Sequence, residues 1–135
     1  MPIELCIVTP EGQTFAGPVD QVVLPGAEGD FGVLEGHERF LAPLRIGAVE
    51  IQQSSASQWA AVSSGFAEVN GGQVTVLVDE CEMADGIDAA AARADQESLK
   101  SSLADLSGSD EDEHRRSQIE SALELLELKI ELAGQ

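Results

Sequence analysis

Phe66-Ala67-Glu68-Val69-Asn70-Gly71-Gly72-Gln73-Val74-Thr75-Val76-Leu77-Val78 is the stretch that decides the fold. Two short strand-like runs flank Asn70-Gly71-Gly72, whose Asn and Gly accept positive φ. The stretch therefore predicts a β-hairpin. Upstream, Ile3-Glu4-Leu5-Cys6-Ile7-Val8 is a β-branched run with partial alternation. Val19-Asp20-Gln21-Val22-Val23-Leu24 follows and stops at Pro25-Gly26. Residues 48–53 and 58–63 are further strand candidates. Many short strands with Gly and Pro punctuation predict an antiparallel β-sandwich or barrel over residues 1–84.

From Asp85 the character changes. Residues 87–106 are rich in Ala, Leu and charged side chains, and residues 111–133 in Glu and Leu, both helix-forming compositions. Ser107-Gly108-Ser109-Asp110 reads as a turn between them. Ser109 is placed to cap the second helix, with Asp112 as a capping-box partner. Asp110, Glu111, Asp112 and Glu113 then occupy its first turn, where the helix dipole favours anions. Lys129 lies near its end, and Gly134 is a stop signal. So short a link predicts an antiparallel helical hairpin over residues 85–135.

The second helix carries two apolar stripes. Ile119, Ala122, Leu123, Leu126 and Ile130 form one, and Leu125, Leu128 and Leu132 the other, with Glu120, Glu124, Glu127 and Glu131 between them. A helix that only covers a core needs one stripe. Two stripes predict two surfaces: the first helix, and either the β domain or another protein. The first helix offers Ala92, Leu99, Leu103 and Leu106 on one side and the small Ala91, Ala94 and Ser98 on another. At about 25 cal/mol per Å² of apolar area, such thin packing stabilises little.

The chain has 135 residues and a formal net charge of -18. Residues 1–84 carry 2 basic and 12 acidic groups, and residues 85–135 carry 5 and 13, so the two halves are −10 and −8. Such a charge opposes binding to nucleic acid or an anionic lipid surface. No run of about 18 apolar residues exists to span a membrane. The start, Met1-Pro2-Ile3-Glu4, has neither the basic opening nor the cleavage site of a signal peptide. Cys6 and Cys81 are accordingly expected to be reduced and buried thiols in a cytosolic environment.

The catalytic inventory is poor. His37-Glu38 lacks the second His of a zinc-protease motif. The cysteines are too far apart in sequence for a paired-thiolate zinc site. Ser63-Ser64-Gly65 lacks the leading Gly of a nucleophile elbow. The loop containing Gly26, Gly29 and Gly32 has no Gly-Lys-Ser/Thr to bind phosphate. The acidic run from Asp110 to Glu113 lacks a calcium loop's Gly and spacing. Neither a metal, a cofactor nor independent catalysis is expected.

Pro25-Gly26-Ala27-Glu28-Gly29-Asp30-Phe31-Gly32-Val33-Leu34-Glu35-Gly36-His37 closely resembles the P-G-x-x-G-x-x-G-x-L-x-G-H segment of the epsilon subunit of F-type ATP synthases. Ile7-Val8-Thr9-Pro10-Glu11-Gly12, Phe15-Ala16-Gly17-Pro18-Val19-Asp20, residues 41–47, Gly65-Phe66-Ala67-Glu68-Val69 and Val74-Thr75-Val76-Leu77-Val78-Asp79 are similar to that family in order and spacing. The resemblance implies a ten-stranded β-sandwich followed by two helices. It implies a non-catalytic subunit of the rotating central stalk of a proton-translocating enzyme, coupling the c-subunit ring to gamma and the catalytic head. In bacterial members the helices can lie on the sandwich or extend to the alpha/beta head and inhibit ATP hydrolysis.

Carried onto this chain, the acidic loop position facing the c ring is Asp30, with Glu28 beside it. The corner facing gamma is Gly36-His37. Some bacterial members bind ATP through an Ile/Leu-Asp-x-x-Arg-Ala motif. Here Ile87 and Asp88 are present, but Ala91 stands where the Arg belongs, and Arg93 points about 200° away on a helix. Without that guanidinium, phosphate loses its main cation, and ATP is not expected to bind. The acidic hairpin also opposes contact with an acidic segment of the beta subunit, so hydrolytic inhibition is expected to be weak or to rest on apolar packing. The absence of a transit peptide favours a bacterial protein held peripherally on the cytoplasmic face of the inner membrane. Two other classes compete. One is a stand-alone ligand-binding sandwich with a helical appendage, for which Trp59 is the only Trp. The other is a small hydrolase built on His37.

Overall fold

A computed structural model of the chain describes residues 3–34, 39–54, 56–106 and 110–133. Its strands are β1 (Ile3–Thr9), β2 (Gly12–Val19), β3 (Gln21–Gly26), β4 (Gly29–Val33), β5 (Phe40–Leu44), β6 (Gly47–Gln53), β7 (Ala56–Val62), β8 (Gly65–Asn70), β9 (Gln73–Val78) and β10 (Cys81–Met83). A 3-10 turn at Ala84–Gly86 leads to α1 (Ala89–Ala104) and α2 (Asp110–Ala133).

The strands run β10-β7-β6-β3-β5-β8-β9-β1-β2, with β4 added to β3. All pairs are antiparallel except β1 and β9, which run parallel. The sheet is therefore mixed rather than wholly antiparallel. It also curls back on itself. The Asp20 N–H donates to the Gln52 carbonyl at 2.8 Å, and Gln53 Nε2 donates to the Pro18 carbonyl at 2.9 Å, so the end of β2 meets β6. Pro18 fits because β2 is an edge strand, where a missing N–H breaks no second ladder.

Alternation along the strands builds the core. In β1, Ile3, Leu5 and Ile7 are buried while Glu4 is exposed, and in β9, Val74, Val76 and Val78 are buried. Val22 and Leu24 of β3, Val49 and Ile51 of β6 and Val69 of β8 complete the same cluster. Its β-branched residues match the strand propensities that announced it. The Asn70↔Gln73 pair closes the expected hairpin, and Gly71 alone takes a positive φ, at 63°. Positive φ at the first loop residue is the type II′ pattern, which follows the twist of the strands.

Three sequence expectations shift. The run 19–24 is not one strand: Val19 ends β2, and β3 begins at Gln21. Asp20 makes the corner, its carboxylate accepting from the Ser54 N–H at 2.6 Å, where Ser54 has φ 54°. The Gly-rich loop is largely the β3–β4 hairpin, paired from Val22↔Val33 to Gly26↔Gly29. The first helix runs from Ala89 to Ala104, so Leu106 lies beyond it.

The two stripes of α2 meet different surfaces. Leu125 and Leu132 are buried with Ala61 of β7, and Leu128, Trp59, Ile46, Ala48, Ala84 and Ile87 surround them. Ile119 and Ala92 are buried outside that cluster, and α1 packs along α2. The hairpin thus lies on the outside of β6 and β7, joined through a small apolar cluster separate from the sandwich core.

Candidate functional site

Period-2 alternation turns every second residue of an outer strand away from the core. In β5, β8, β9 and β1 the inward residues are Leu44, Ala67, Val76 and Ile7. The outward residues next to them include Pro43, Phe66, Leu77 and Val8. Strand register puts these four in one line: Pro43↔Phe66, Phe66↔Leu77 and Val8↔Leu77. Phe66 is 52% exposed and Leu77 48%. Leu41, two residues before Pro43 on β5, is 65% exposed. These side chains form a continuous apolar row across four strands, a candidate contact surface. The line borders an open cleft that Thr9, Pro10 and Ser64 also reach.

The β3–β4 tip adjoins this row. The Ala27 N–H donates to the Pro43 carbonyl at 2.9 Å, and the Arg45 N–H donates to the Pro25 carbonyl at 2.9 Å. Ala27 and Glu28 form the two-residue loop between paired Gly26 and Gly29. A Cβ on Gly26 would stand 2.5 Å from the Gly29 carbonyl oxygen and 2.8 Å from the Phe31 ring, so only hydrogen fits there. Gly29 has φ 142°, which a side chain would strain. Phe31 tilts against Phe40 with centroids 5.8 Å apart, fixing the base of the hairpin on β5.

Asp30 on β4 is not a lone carboxylate. Arg45 Nη2 donates to it in an ion pair, and Arg45 Nη1 donates to the Ile46 carbonyl. Both side chains are about half exposed, so the pair stabilises little by itself. It does set the charge pattern, leaving Glu28 as the exposed carboxylate at the tip. Sequence reasoning found Glu28 and Asp30 but missed Arg45, which lies fifteen residues away and is aligned only by folding. Gly36 and His37 lie outside the described residues.

The nucleotide-motif positions have another use. The Asp88 carboxylate accepts from the Ala91 N–H at 3.1 Å and caps α1. Ile87 packs against the cluster under α2, and Ala91 is exposed. The serine of the failed elbow is structural too: Ser63 Oγ accepts from the Asp79 and Glu80 N–H groups at 3.0 Å each. Among the described residues no group of three or more His, Cys, Asp or Glu is placed to hold a metal.

On β10, against the sandwich core, the Cys81 thiol is raised from about 9.0 to about 11, first by burial, against the lowering effect of Lys129 and with a smaller raise from Glu82. Lys129 Nζ lies 3.4 Å from Glu82 and 3.9 Å from Glu80. No helix among the described residues is long and apolar enough to cross a membrane.

The chain thus joins a curled ten-strand sandwich, with its Gly-rich hairpin and outward apolar row, to a docked helical pair. Residues 2–84 match the family model described as ATP synthase, Delta/Epsilon chain, beta-sandwich domain. The chain belongs to the epsilon-chain family of F-type ATP synthases. It is 41% identical over 101 residues to the ATP synthase epsilon chain of Alkalihalophilus pseudofirmus, covering 75% of this chain and 76% of that one. With the Bacillus velezensis epsilon chain it shares 35% identity over 132 residues, or 98% and 97% of the two chains. Among solved structures, a chain in the Euglena gracilis mitochondrial ATP synthase, in a structure of OSCP, F1 and c-ring, superimposes with a TM-score of 0.77. Identity there is 27%, covering 99% of this chain and 82% of that one.

Proposed function

We propose that this chain is a non-catalytic subunit of the central stalk of a proton-translocating F-type ATP synthase, docking on gamma and resting on the c-subunit ring. The observation that carries this reading is the outward row Val8, Leu77, Phe66 and Pro43. A stable partner would remove that apolar area from water, whereas no catalytic constellation occurs among the described residues. The row suits gamma, for which Gly36 and His37 are proposed as further contacts. The β3–β4 tip suits the polar loops of the ring, with Glu28 and the Asp30–Arg45 pair offering charged hydrogen-bond partners. This role places the protein peripherally at the membrane, on the cytoplasmic face in a bacterium. The sandwich (residues 1–84) carries the docking and the hairpin (residues 85–135) the regulation.

The test is capture of the purified chain by its own gamma subunit, alone and with the c ring. Stoichiometric binding that weakens on replacing Asp30 and His37 supports the stalk role. No binding to gamma at any salt concentration leaves the family membership without this function and revives the stand-alone ligand-binding sandwich. Reach of the helices to the alpha/beta head is tested separately. Deleting residues 88–135 is expected to relieve ATP hydrolysis in the assembled enzyme only slightly, because the hairpin is acidic. Strong relief would overturn that part.

A further inference from the structure

The hairpin and the sandwich are both strongly acidic, at −8 and −10, yet they lie against each other. Like charges face one another at the contact. Glu124, Glu127 and Glu131 of α2 line one open cleft together with Glu50 and Asp30 of the sandwich. The cation in that cleft, Arg45, is already engaged by Asp30. The opposing attraction is concentrated at one residue. Lys129 projects from α2 onto the β10 edge, sits between Glu80 and Glu82, and is only 17% exposed. Among the described residues, Arg93, Lys100, Arg115 and Arg116 make no ion pair with the sandwich.

We propose that Lys129 is the electrostatic clasp holding the helical hairpin on the sandwich against the mutual repulsion of two acidic units, so that docking tightens as ionic strength rises. The sign follows from where each interaction runs. The repulsion between −8 and −10 is summed over carboxylates spread across both units, several of them sharing only an open cleft. Salt screens such separations strongly, because the Debye length falls from about 30 Å at 0.01 M to about 10 Å at 0.1 M. The clasp works at contact distance from a sheltered lysine, where salt screens much less. The small apolar cluster of Ala61, Leu125 and Leu132 is indifferent to this range of salt. The proposal concerns contacts within the chain and stands apart from the stalk assignment.

Trp59 is the sole tryptophan and packs against that cluster, so its accessibility reports docking. Acrylamide quenching of Trp59 and the radius of gyration from X-ray scattering would be followed on the full chain from about 0.01 to 0.5 M KCl. Wild type is expected to show lower quenching and a smaller radius at high salt. Lys129→Met keeps the packed stem but loses the charge. It is expected to show quenching raised about two-fold or more at low salt, largely recovered at high salt. Lys129→Arg should behave as wild type. The triple variant Glu124→Gln, Glu127→Gln, Glu131→Gln keeps the clasp, clears the α2 carboxylates from the shared cleft and lowers the hairpin's charge from −8 to −5. It should stay docked at low salt with a flattened salt response, which keeps the test open if Lys129→Met loses helix by circular dichroism. Wild-type docking that loosens with salt would overturn the proposal. So would a triple variant with unchanged salt response, or a folded Lys129→Met that matches wild type at low salt.

Discussion

Phe66 of β8 stands directly opposite Leu77 of β9, and each is about half exposed although Ala67 and Val76 beside them are wholly buried. An exposed cross-strand pair of this size contributes little to the isolated fold. Its replacement therefore separates folding from docking. The double variant Phe66→Ser, Leu77→Ser is expected to unfold within about 1 kcal/mol of wild type in urea. Its affinity for gamma is expected to fall at least about ten-fold by surface plasmon resonance. Unchanged affinity would remove the apolar row from the proposed interface.

Gly65 opens β8 opposite Val78, where a Cβ would collide with the Leu77 carbonyl oxygen and crowd Val78 at 2.9 Å. The obstacle on one side is backbone inside a ladder, so the strand pair itself must shift. Gly65→Ala is expected to destabilise by about 3 kcal/mol. Gly17→Ala on the edge strand has no atom within 4 Å of the new methyl and is expected to change stability by under about 0.5 kcal/mol. Thermal and urea unfolding of the two variants measure the contrast.

What was legible in the chain follows from the range over which each signal acts. The 66–78 hairpin was visible because its turn chemistry and both strands are local. So were the β1 run and the two stripes of α2. β4 was not, because Gly29-Asp30-Phe31-Gly32-Val33 has too few side chains for alternation to register, and only its partner β3 makes it a strand. The three-residue β10 exists by pairing with β7. At the candidate site the carboxylates of Glu28 and Asp30 were found from a motif. Arg45 and the row through Val8, Leu77, Phe66 and Pro43 were hidden, because they depend on register between strands distant in sequence. The parallel β1–β9 pair, which brings Val8 beside Leu77, has no local signature at all.

Cys81 of β10, packed against the sandwich core, supplies a pH test of burial at that edge. Its pKa of about 11 lies above the ordinary 9.0, chiefly through burial, so the folded state binds the thiol proton more tightly than the unfolded state. Its contribution to stability is complete below pH 9 and is lost as pH rises from about 9 to 11. The urea midpoint is expected to fall across that window in wild type and to fall less in Cys81→Ala. At pH 8, alkylation of Cys81 by iodoacetamide is expected to run on the order of 10- to 100-fold slower than in urea. Equal rates in the two conditions would show that burial against the sandwich core does not govern this thiol.

Asp88 and Ala91 decide the nucleotide question between them. The Asp88 carboxylate is already committed to the Ala91 N–H at the first turn of α1. The exposed Ala91 offers no cation to a phosphate. Lys129, the cation in the large cleft between the helices and the sandwich, is held by Glu80 and Glu82, with Asp79 and Asp95 nearby. A polyanion entering that cleft meets carboxylates with no free guanidinium to offset them. Titration of the chain with magnesium ATP is therefore expected to give no saturable heat up to about 1 mM, equivalent to binding weaker than about 4 kcal/mol. Asp88→Ala is expected to lower the stability of α1 by about 1 kcal/mol through loss of the cap, seen as helix loss by circular dichroism, with the ATP titration unchanged. Saturable binding below 1 mM, abolished by Asp88→Ala, would instead show that the carboxylate leaves its cap to hold a nucleotide.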